Sequence, residues 1–504
     1  MPAAADSFSL SVTIFTKDVY KFKKEGGIDE MGCLLSAILI FHVMVAADEE
    51  HVSRNLRGTT FNKLFHSVGL DSWIVNDEQE ERQRMPSSPL KLLERKFSSH
   101  SPSNKWHLFK LDENKYSMAR CLDGSMGAFW LNNGWGSGSD KWIVHLEGGG
   151  WCTSLSECYG RAQSFQFDSL GSSLGWALEA DCDDNSMWTQ PCNTGGHQGF
   201  SSADPNINPL HHNWNKVFVG YCDGASYLGK NNAPIEVPQH LVDLGNPHVD
   251  RIYLRGRYIL EGVYESLLSD HNMSMADTVV IAGSSAGGLT VYLQADFLAD
   301  KIKHHTKFRG LPQPKIYGVP DAGYFLDTSA IDGEHVLRNK MKDLYAFHDI
   351  HLSMNKECLQ RFPSKDAYKC MFAQNMIGYV KTPLFIMNSL VDSWQTKNLM
   401  KLDCDVNAAV PRCSDRETEY LKQYRENFLN SMKFFFTDDQ NDGGCFLSAC
   451  PTHSLANNDK FWLHSWVHGV NMQKAMIDWE NGTVDPSYNH KYVDGIFGGS
   501  DCSG

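Results

Sequence analysis

The stretch TVVIAGSSAGGLTVYL, Thr278 to Leu293, joins an apolar run to a glycine-rich turn and then to a helical pattern. Thr278 to Ala282 are apolar or β-branched and predict a buried strand. Leu289, Leu293 and Phe297 then recur at the spacing of one helix face. An abrupt change from strand to helix around the pattern G-x-S-x-G is typical of a turn that exposes a nucleophilic serine.

Two adjacent serines stand in this turn, and the pattern chooses between them. G-x-S-x-G fits one frame, Gly283 to Gly287, which has Ser285 at its centre. This frame makes Ser285, rather than Ser284, the candidate nucleophile. The backbone N–H of the next residue, Ala286, is then the expected donor to a developing oxyanion.

Other β-branched runs end in turn residues and alternate with amphipathic stretches such as Leu260 to His271. These runs are KWIVHLEGG (Lys141 to Gly149), KVFVGYCDG (Lys216 to Gly224), PKIYGVPDAG (Pro314 to Gly323) and TPLFIMNSLVD (Thr382 to Asp392). The alternation predicts an α/β fold with a mostly parallel sheet flanked by helices, α/β-hydrolase-like, with loop insertions and disulfides. Ligands of such sheets bind at the carboxyl ends of the strands.

A second glycine-rich segment follows one of these strands, in HLEGGGWC (His145 to Cys152). Gly148 to Gly150 lack Cβ atoms, so their backbone N–H groups can approach a ligand closely. A hydrolase elbow needs a second source of oxyanion donors in a loop of this kind. We therefore expect this loop to lie beside Ser285.

Three aspartates at strand ends compete for the role of the triad acid. Asp392 follows a strand well downstream of Ser285, as the order serine, acid, histidine requires. Asp223 precedes the serine and fits that order badly, whereas Asp321 satisfies it. The residue pattern alone leaves Asp392 and Asp321 open.

His453 is the best candidate for the base because it follows every predicted strand. We expect its loop to be tethered by Cys445 and Cys450. His464 and His468 lie in a more helical stretch and are interpreted as packing or surface residues.

Charge and cysteine content limit the class of protein. The formal net charge of -14 argues against general affinity for nucleic acid or anionic lipid. The 14 cysteines are scattered rather than paired as CxxC, which favours disulfides in an exported protein over a zinc site. Without Cys33 their number is odd, so one thiol is expected to be free or to pair between chains.

The N-terminal region is interpreted as a targeting segment. CLLSAILIFHVMVAA, Cys33 to Ala47, is apolar, short for a membrane span, and ends in small residues. It predicts a cleaved signal, with Met31 as a possible start. The alternative is a retained signal anchor, which would place a membrane segment at residues 32–47.

The chain is thus divided into three parts. Residues 1–47 are the leader with its signal peptide or anchor, residues 48–105 a polar linker or pro-region, and residues 106–504 the catalytic domain. The sequons at Asn272 and Asn481 are glycosylation acceptors if the chain is exported.

Several of these blocks, taken together and in order, resemble the pectinacetylesterase family, which also contains the Notum carboxylesterases. The blocks are CLDGS (Cys121 to Ser125), WIVHLEGGGWC (Trp142 to Cys152), NWNKVFVGYCDGAS (Asn213 to Ser226), YLRGRYI (Tyr253 to Ile259), GSSAGGL (Gly283 to Leu289), DAGYFLD (Asp321 to Asp327), KTPLFIMNSLVDSWQ (Lys381 to Gln395) and the loop from Cys450 to His453. The resemblance implies a triad, which consists of Ser285, Asp392 and His453. It implies oxyanion donors as well, namely Gly149, Gly150 and Ala286. It decides for Asp392 against Asp321.

The resemblance also implies an activity. We expect a secreted serine carboxylic-ester hydrolase that removes acetyl groups from pectin-like cell-wall polysaccharide and needs no metal or cofactor. LEGGGWC is similar to the pectinacetylesterase side, since Notum-type members carry a bulkier aromatic where this chain has Gly150. GSSAGG is more like Notum, since plant members often have cysteine at the position of Ser284. The alternatives are a Notum-like protein O-palmitoleoyl carboxylesterase acting on acylated protein, and an inactive extracellular binding module.

Overall fold

The computed structural model describes most of the chain after the predicted linker. The described residues are 105–164, 169–183, 190–193, 196–242, 249–406, 412–437, 442–483 and 488–495. All of them belong to one compact unit, Pro89–Gly504. The predicted leader and signal segment, and the predicted linker up to residue 104, lie outside the described residues.

Strands and helices alternate along the described chain. The strands are β1 Lys105–Lys110, β2 Ala128–Asn132, β3 Lys141–Leu146, β4 Glu179–Asp181, β5 Asn215–Val219, β6 Ile235–Glu236, β7 Arg251–Ile252, β8 Thr278–Ser284, β9 Lys315–Asp321, β10 Phe385–Ser389, β11 Gly444–Ser448, β12 Trp466–Val467, β13 Val470–Asn471 and β14 Lys491–Val493. The α-helices are α1 Leu155–Ala162, α2 Gln190–Asn193, α3 Gln239–Val242, α4 Gly256–Ser269, α5 Ala286–Phe308, α6 Val336–Phe347, α7 Lys356–Arg361, α8 Ala373–Met376, α9 Ser393–Asn398, α10 Asp415–Ser431, α11 Lys433–Thr437, α12 Asp459–His464 and α13 Met472–Glu480. Short 3₁₀ turns lie at Gly136–Gly138, Gly199–Ser201, Met273–Met275, Ile350–Ser353, Ser364–Met371 and Ile377–Tyr379.

One large sheet organises the molecule. Within the described residues its strand order is β14-β11-β10-β9-β8-β3-β5-β2-β1-β4. The pairs from β14 to β5 are parallel, and β2, β1 and β4 continue the sheet with antiparallel pairs. The predicted α/β fold with a mostly parallel sheet is therefore confirmed.

Side chains of a strand alternate between its two faces, and both faces of the central strands are buried. On β8, Val279 and Ile281 pack in a large core with residues of α4 and α5. Val280, between them, packs in a second core together with Trp462 of α12 and Met476 of α13. Helices thus cover the sheet on two sides, as a parallel sheet requires.

The predicted strands are confirmed, and each ends before the turn residues that close its run. β5 ends at Val219. The N–H of Tyr221 donates to the buried carboxylate of Glu147 at 2.7 Å, so the chain leaves the sheet there. The residues after β5 form a loop beside the glycine-rich segment.

Five disulfides join described residues, and the predicted free thiol is Cys445. The bridges are Cys121–Cys222, Cys152–Cys158, Cys182–Cys192, Cys358–Cys370 and Cys404–Cys413. Cys450 is disulfide-bonded too, whereas Cys445 is free and buried within β11. The expectation that Cys445 tethers the His453 loop was wrong, because its thiol packs in the core of the sheet.

No helix among the described residues has the length and apolar character needed to cross a membrane. The proposed anchor at residues 32–47 lies outside those residues.

Candidate active site

Ser285 occupies a strained turn between β8 and α5. Its φ of 58° and ψ of −123° lie outside the regions that L-residues favour, a conformation that costs on the order of 1–3 kcal/mol. Two backbone hydrogen bonds hold it there: its N–H donates to the Asp321 carbonyl at 2.9 Å, and its carbonyl accepts from Leu289 N–H at 2.9 Å. The turn presents the Ser285 side chain at the carboxyl edge of the sheet.

Close packing explains two of the glycines around this turn. An ideal Cβ on Gly287 would lie 2.0 Å from the carbonyl oxygen of Leu146, at the end of β3. A Cβ on Gly148 would lie 2.4 Å from the Ser284 carbonyl oxygen and 2.8 Å from Ser285 Cβ. The glycine-rich loop therefore lies directly against the turn that carries Ser285, as the sequence predicted.

The backbone of the glycine-rich loop is oriented by side chains that hold its carbonyl groups. Arg161 Nη2 donates to the Gly149 carbonyl at 2.8 Å, and the Tyr221 hydroxyl donates to the Gly150 carbonyl at 2.7 Å. Within the described part of the chain, the N–H groups of Gly149, Gly150 and Ala286 donate no hydrogen bond. Three backbone donors beside Ser285 are thus available to a ligand.

Asp392, which is buried, and His453, which is partly buried, form a hydrogen-bonded pair. Asp392 caps α9, and its Oδ1 accepts from the N–H groups of Trp394 and Gln395 at 3.0 and 2.9 Å. Its Oδ2 accepts from His453 Nδ1 at 2.8 Å. The Asp392 side chain is 0% exposed and that of His453 is 20% exposed. Because the carboxylate holds the proton on Nδ1, Nε2 is left to act as a base.

Opposing effects set the pKa of His453. Burial lowers it, but the charge and hydrogen bond of Asp392, together with the charge of Asp321, outweigh burial and raise the pKa above 6.5. The Trp394 ring stacks on the imidazole, with centroids 5.7 Å apart and an angle of 29° between the planes. Trp394 therefore covers one face of the His453 ring.

Asp321 contacts the loop of His453 rather than its ring. Its Oδ1 accepts from Leu455 N–H at 3.0 Å and its Oδ2 from Ala456 N–H at 3.1 Å. Ser284 Oγ lies 3.3 Å from the same Oδ2. Burial raises the pKa of Asp321 to about 6. The structure thus places this rival acid against the backbone two and three residues after His453, where it stabilises the loop.

The other sequence candidates lie apart from this pair. Asp223 is fully buried, its Oδ2 accepts from Ala225 N–H at 3.2 Å, and burial raises its pKa to about 7. His464 ends α12, and the His468 ring donates to the Val493 carbonyl at 3.0 Å and stacks on Tyr488. These contacts agree with packing roles.

One cavity of about 870 Å³ connects the candidate residues. Its wall includes Ser285, His453 and the loop from Gly148 to Gly150. Among the described atoms no hydrogen bond joins Ser285 Oγ to His453. The remaining lining residues are His145, Glu147, Trp151, Arg161, Leu170, Asn193, Phe218, Ser284, Lys340, Trp394 and Ser454.

Sequence reasoning missed several contributors to this cavity. Trp151 lines the cavity but is only 5% exposed, and its Nε1 donates to Ser226 Oγ at 2.8 Å. The half-buried Trp394 is the aromatic beside His453, and its position two residues after Asp392 was the available signal. Arg161 and Lys340 come from α1 and α6, and no motif marks them.

The strand order of the large sheet and the strand-to-helix turn at the sheet's carboxyl edge define an α/β-hydrolase-like protein. Comparison with known sequences narrows this class. The sequence model of the family described as Pectinacetylesterase matches residues 99–496. The chain belongs to this family, and it is a carboxylic ester hydrolase.

Relatives of two kinds match the chain. It is 30% identical over 373 residues to pectin acetylesterase 5 of Arabidopsis thaliana, covering 72% of this chain and 77% of the relative. It is 28% identical over 345 residues to pectin acetylesterase 4 of the same plant, covering 66% and 73%. Identity to the palmitoleoyl-protein carboxylesterase notum1' of Xenopus laevis is 26% over 383 residues, covering 74% and 67%.

Proposed function

We propose that this chain is a secreted serine esterase that removes acetyl groups from a pectin-like polysaccharide. The observation that carries the proposal is the hydrogen bond of 2.8 Å between His453 Nδ1 and Asp392 on the cavity that Ser285 lines. The names of the pectin acetylesterase relatives support the substrate.

In this mechanism Ser285 Oγ attacks the acetyl carbonyl while His453 Nε2 accepts its proton. The carbonyl oxygen gains the negative charge and accepts hydrogen bonds from backbone N–H groups, which belong to Gly149, Gly150 and Ala286. Collapse of the tetrahedral intermediate breaks the ester bond, and His453 returns the proton to the departing sugar oxygen.

A water molecule completes the cycle. His453 takes a proton from the water, whose oxygen attacks the acetyl-enzyme and releases acetate and the Ser285 hydroxyl. Asp392 keeps its negative charge throughout and stabilises the imidazolium that forms twice. The residues named here suffice for both steps.

Export is part of the proposal. Five bridges between described residues and the bonded Cys450 are usual in an oxidising compartment. Asn272 and Asn481, the two sequon asparagines, are exposed. An extracellular location, the cell wall included, fits a polysaccharide substrate.

A second candidate function, protein deacylation, has one observation in its favour. The cavity of about 870 Å³ is far larger than an acetyl group, and part of its wall is apolar, with Leu170 and Phe218. It could hold either several sugar units or a long acyl chain. The Notum relatives make the second ligand worth testing.

The test compares p-nitrophenyl acetate, butyrate and octanoate with wild type, Ser285→Ala and Ser284→Ala. We expect Ser285→Ala to lower kcat by about 10⁴- to 10⁶-fold. Ser284→Ala is the matched control, since Ser284 Oγ makes only long contacts of 3.3 and 3.4 Å, with Asp321 and Asn457.

A preference for acetate, together with acetate release from acetylated pectin, supports deacetylation. A preference for octanoate moves the substrate to long-chain acyl esters and leaves the mechanism in place. Full activity of Ser285→Ala would refute the mechanism. Failure of folded wild type to react with a fluorophosphonate would favour the binding-module alternative.

A further inference from the structure

The cavity wall carries positive charge that the esterase mechanism does not use. The chain as a whole has a net charge of -14, yet Arg161 and Lys340 both line the cavity. The acidic residue on the same wall, Glu147, is 3% exposed, and its carboxylate accepts from Tyr221 N–H at 2.7 Å. Its charge is therefore directed into the protein, whereas the two cations border the open space.

Arg161 has donor capacity left over. It lies on α1, and its Nη2 donates to the Gly149 carbonyl at 2.8 Å. Its Nη1 is buried and has no hydrogen-bond partner among the described residues. A guanidinium presents its donors in a planar fork that matches a carboxylate, and a buried N–H without an acceptor is unfavourable. An anionic ligand in the cavity would be attracted by this guanidinium, which lines the wall.

Lys340 is available in the same way. It lies on α6, is partly exposed, and makes no hydrogen bond or ion pair with any described residue. The nearby acid on α1, Glu157, is already engaged, because its Oε2 accepts from the N–H and hydroxyl of Thr153 at 2.7 and 3.0 Å. These hydrogen bonds and, to a smaller degree, the charge of Lys340 lower the pKa of Glu157. Lys340 thus adds a second positive charge close to α1.

Arg161 lies on the glycine-loop side of the cavity. Arg161 Nη2 is 3.5 Å from the position of a Cβ on Gly150 and bonds the carbonyl of Gly149. The same loop touches the Ser285 turn through Gly148. An ester bound at Ser285 therefore has this charged wall as its neighbour. This positive charge would not attract a neutral acyl chain, but it would attract an acidic sugar.

We infer that Arg161 and Lys340 form a subsite for the carboxylate of a uronate unit in the acetylated polysaccharide. This inference rests on the proposed deacetylase function and deepens it. It makes the enzyme selective for acetylated uronate chains whose carboxyl groups are free over chains whose carboxyl groups are methyl-esterified. The Arg161 guanidinium would attract the carboxylate by its charge, and Lys340 would add a point charge.

The experiment measures kcat/KM on acetylated oligogalacturonides with free carboxylates and on the same oligosaccharides after methyl esterification. The variants are Lys340→Gln and Lys340→Glu. The matched control is Lys342→Gln, which removes the same charge from an exposed position of the same helix. We expect wild type to favour the charged substrate, and to favour it less as salt is added.

Removing one partly exposed charge contact should lower the ratio of the two kcat/KM values by about fivefold, mainly through KM. Lys340→Glu should lower the ratio by about tenfold, since it replaces attraction with repulsion. Lys342→Gln should keep the wild-type ratio.

Two other outcomes overturn the inference and separate it from the function on which it rests. Equal rates of wild type on both oligosaccharides, with the ratio unchanged in Lys340→Gln, overturn the uronate subsite and leave the deacetylase proposal standing. Absence of acetate release from either oligosaccharide, in enzyme that hydrolyses p-nitrophenyl esters, overturns the deacetylase proposal and the subsite with it.

Discussion

The ends of two neighbouring strands, β9 and β10, carry one buried aspartate each, and the contacts of the two differ. Asp392 follows β10 and accepts the ring N–H of His453 at 2.8 Å. Asp321 ends β9 and accepts backbone N–H groups of Leu455 and Ala456, just beyond that histidine. Asp392 orients the imidazole ring and raises its basicity, and Asp321 holds the loop that carries His453. Both carboxylates are buried, so burial does not separate the two, whereas their hydrogen-bond partners do.

The largest expected difference comes from Asp392→Asn. An amide at this position can still accept N–H groups at the start of α9, so the fold should survive. It can also donate to His453 Nδ1, which favours the wrong tautomer, and kcat on p-nitrophenyl acetate should fall by about 10⁴-fold. Steady-state kinetics and thermal unfolding check this together. A loss below tenfold in a folded variant would contradict the proposed role of Asp392.

Asp321→Asn should have a smaller effect on activity and a larger one on stability. The amide group would face one of the two N–H donors of Leu455 and Ala456, which leaves a buried donor unsatisfied at a cost of about 1–3 kcal/mol. Displacement of the His453 loop should lower kcat by up to about 10²-fold. Urea unfolding measures the first effect and kcat the second.

Ser284→Ala is the control for Asp321→Asn, because it removes only the long contacts to the same carboxylate and to Asn457. The comparison between the aspartates breaks down if Asp321→Asn loses as much activity as Asp392→Asn while its unfolding free energy stays at the wild-type value.

The smallest expected effect is on the pH profile. Protonated His453 cannot accept the serine proton, so kcat/KM should rise with pH through the pKa of His453, with a midpoint above 6.5. The charge of Asp321 contributes to this raised pKa. Asp321→Asn should therefore shift the midpoint down, and Ser284→Ala should not. An unchanged or higher midpoint in Asp321→Asn would show that its charge does not reach the imidazole.

The sequence predicted the fold class and the strands whose ends surround the cavity, because apolar runs and glycine-rich turns are local patterns. It could not choose between Asp392 and Asp321, since that choice depends on the path of a loop more than sixty positions further along the chain. The family resemblance made the choice, and the catalytic roles themselves stay predictions.

Other features of the site left no local signal. Arg161 and Lys340 reach the cavity only because α1 and α6 pack there, and isolated cations in a sequence look like ordinary surface residues. The expected tether through Cys445 is one example. The place of Cys445 inside β11, where burial raises the pKa of its thiol to about 12, comes from strand pairing with β10.

The position of β11 in the chain, before the His453 loop, has a consequence for when the proposed activity can first appear. The glycine loop, Ser285 and Asp392 precede β11, whereas His453 follows it. A chain synthesised only as far as β11 holds the proposed nucleophile, its oxyanion donors and the acid, but it has no base. Contacts between segments far apart in sequence form late, because ordering the intervening chain costs entropy before the contact is made. With these proposed roles, we expect ester cleavage to be among the last properties that the folding polypeptide acquires.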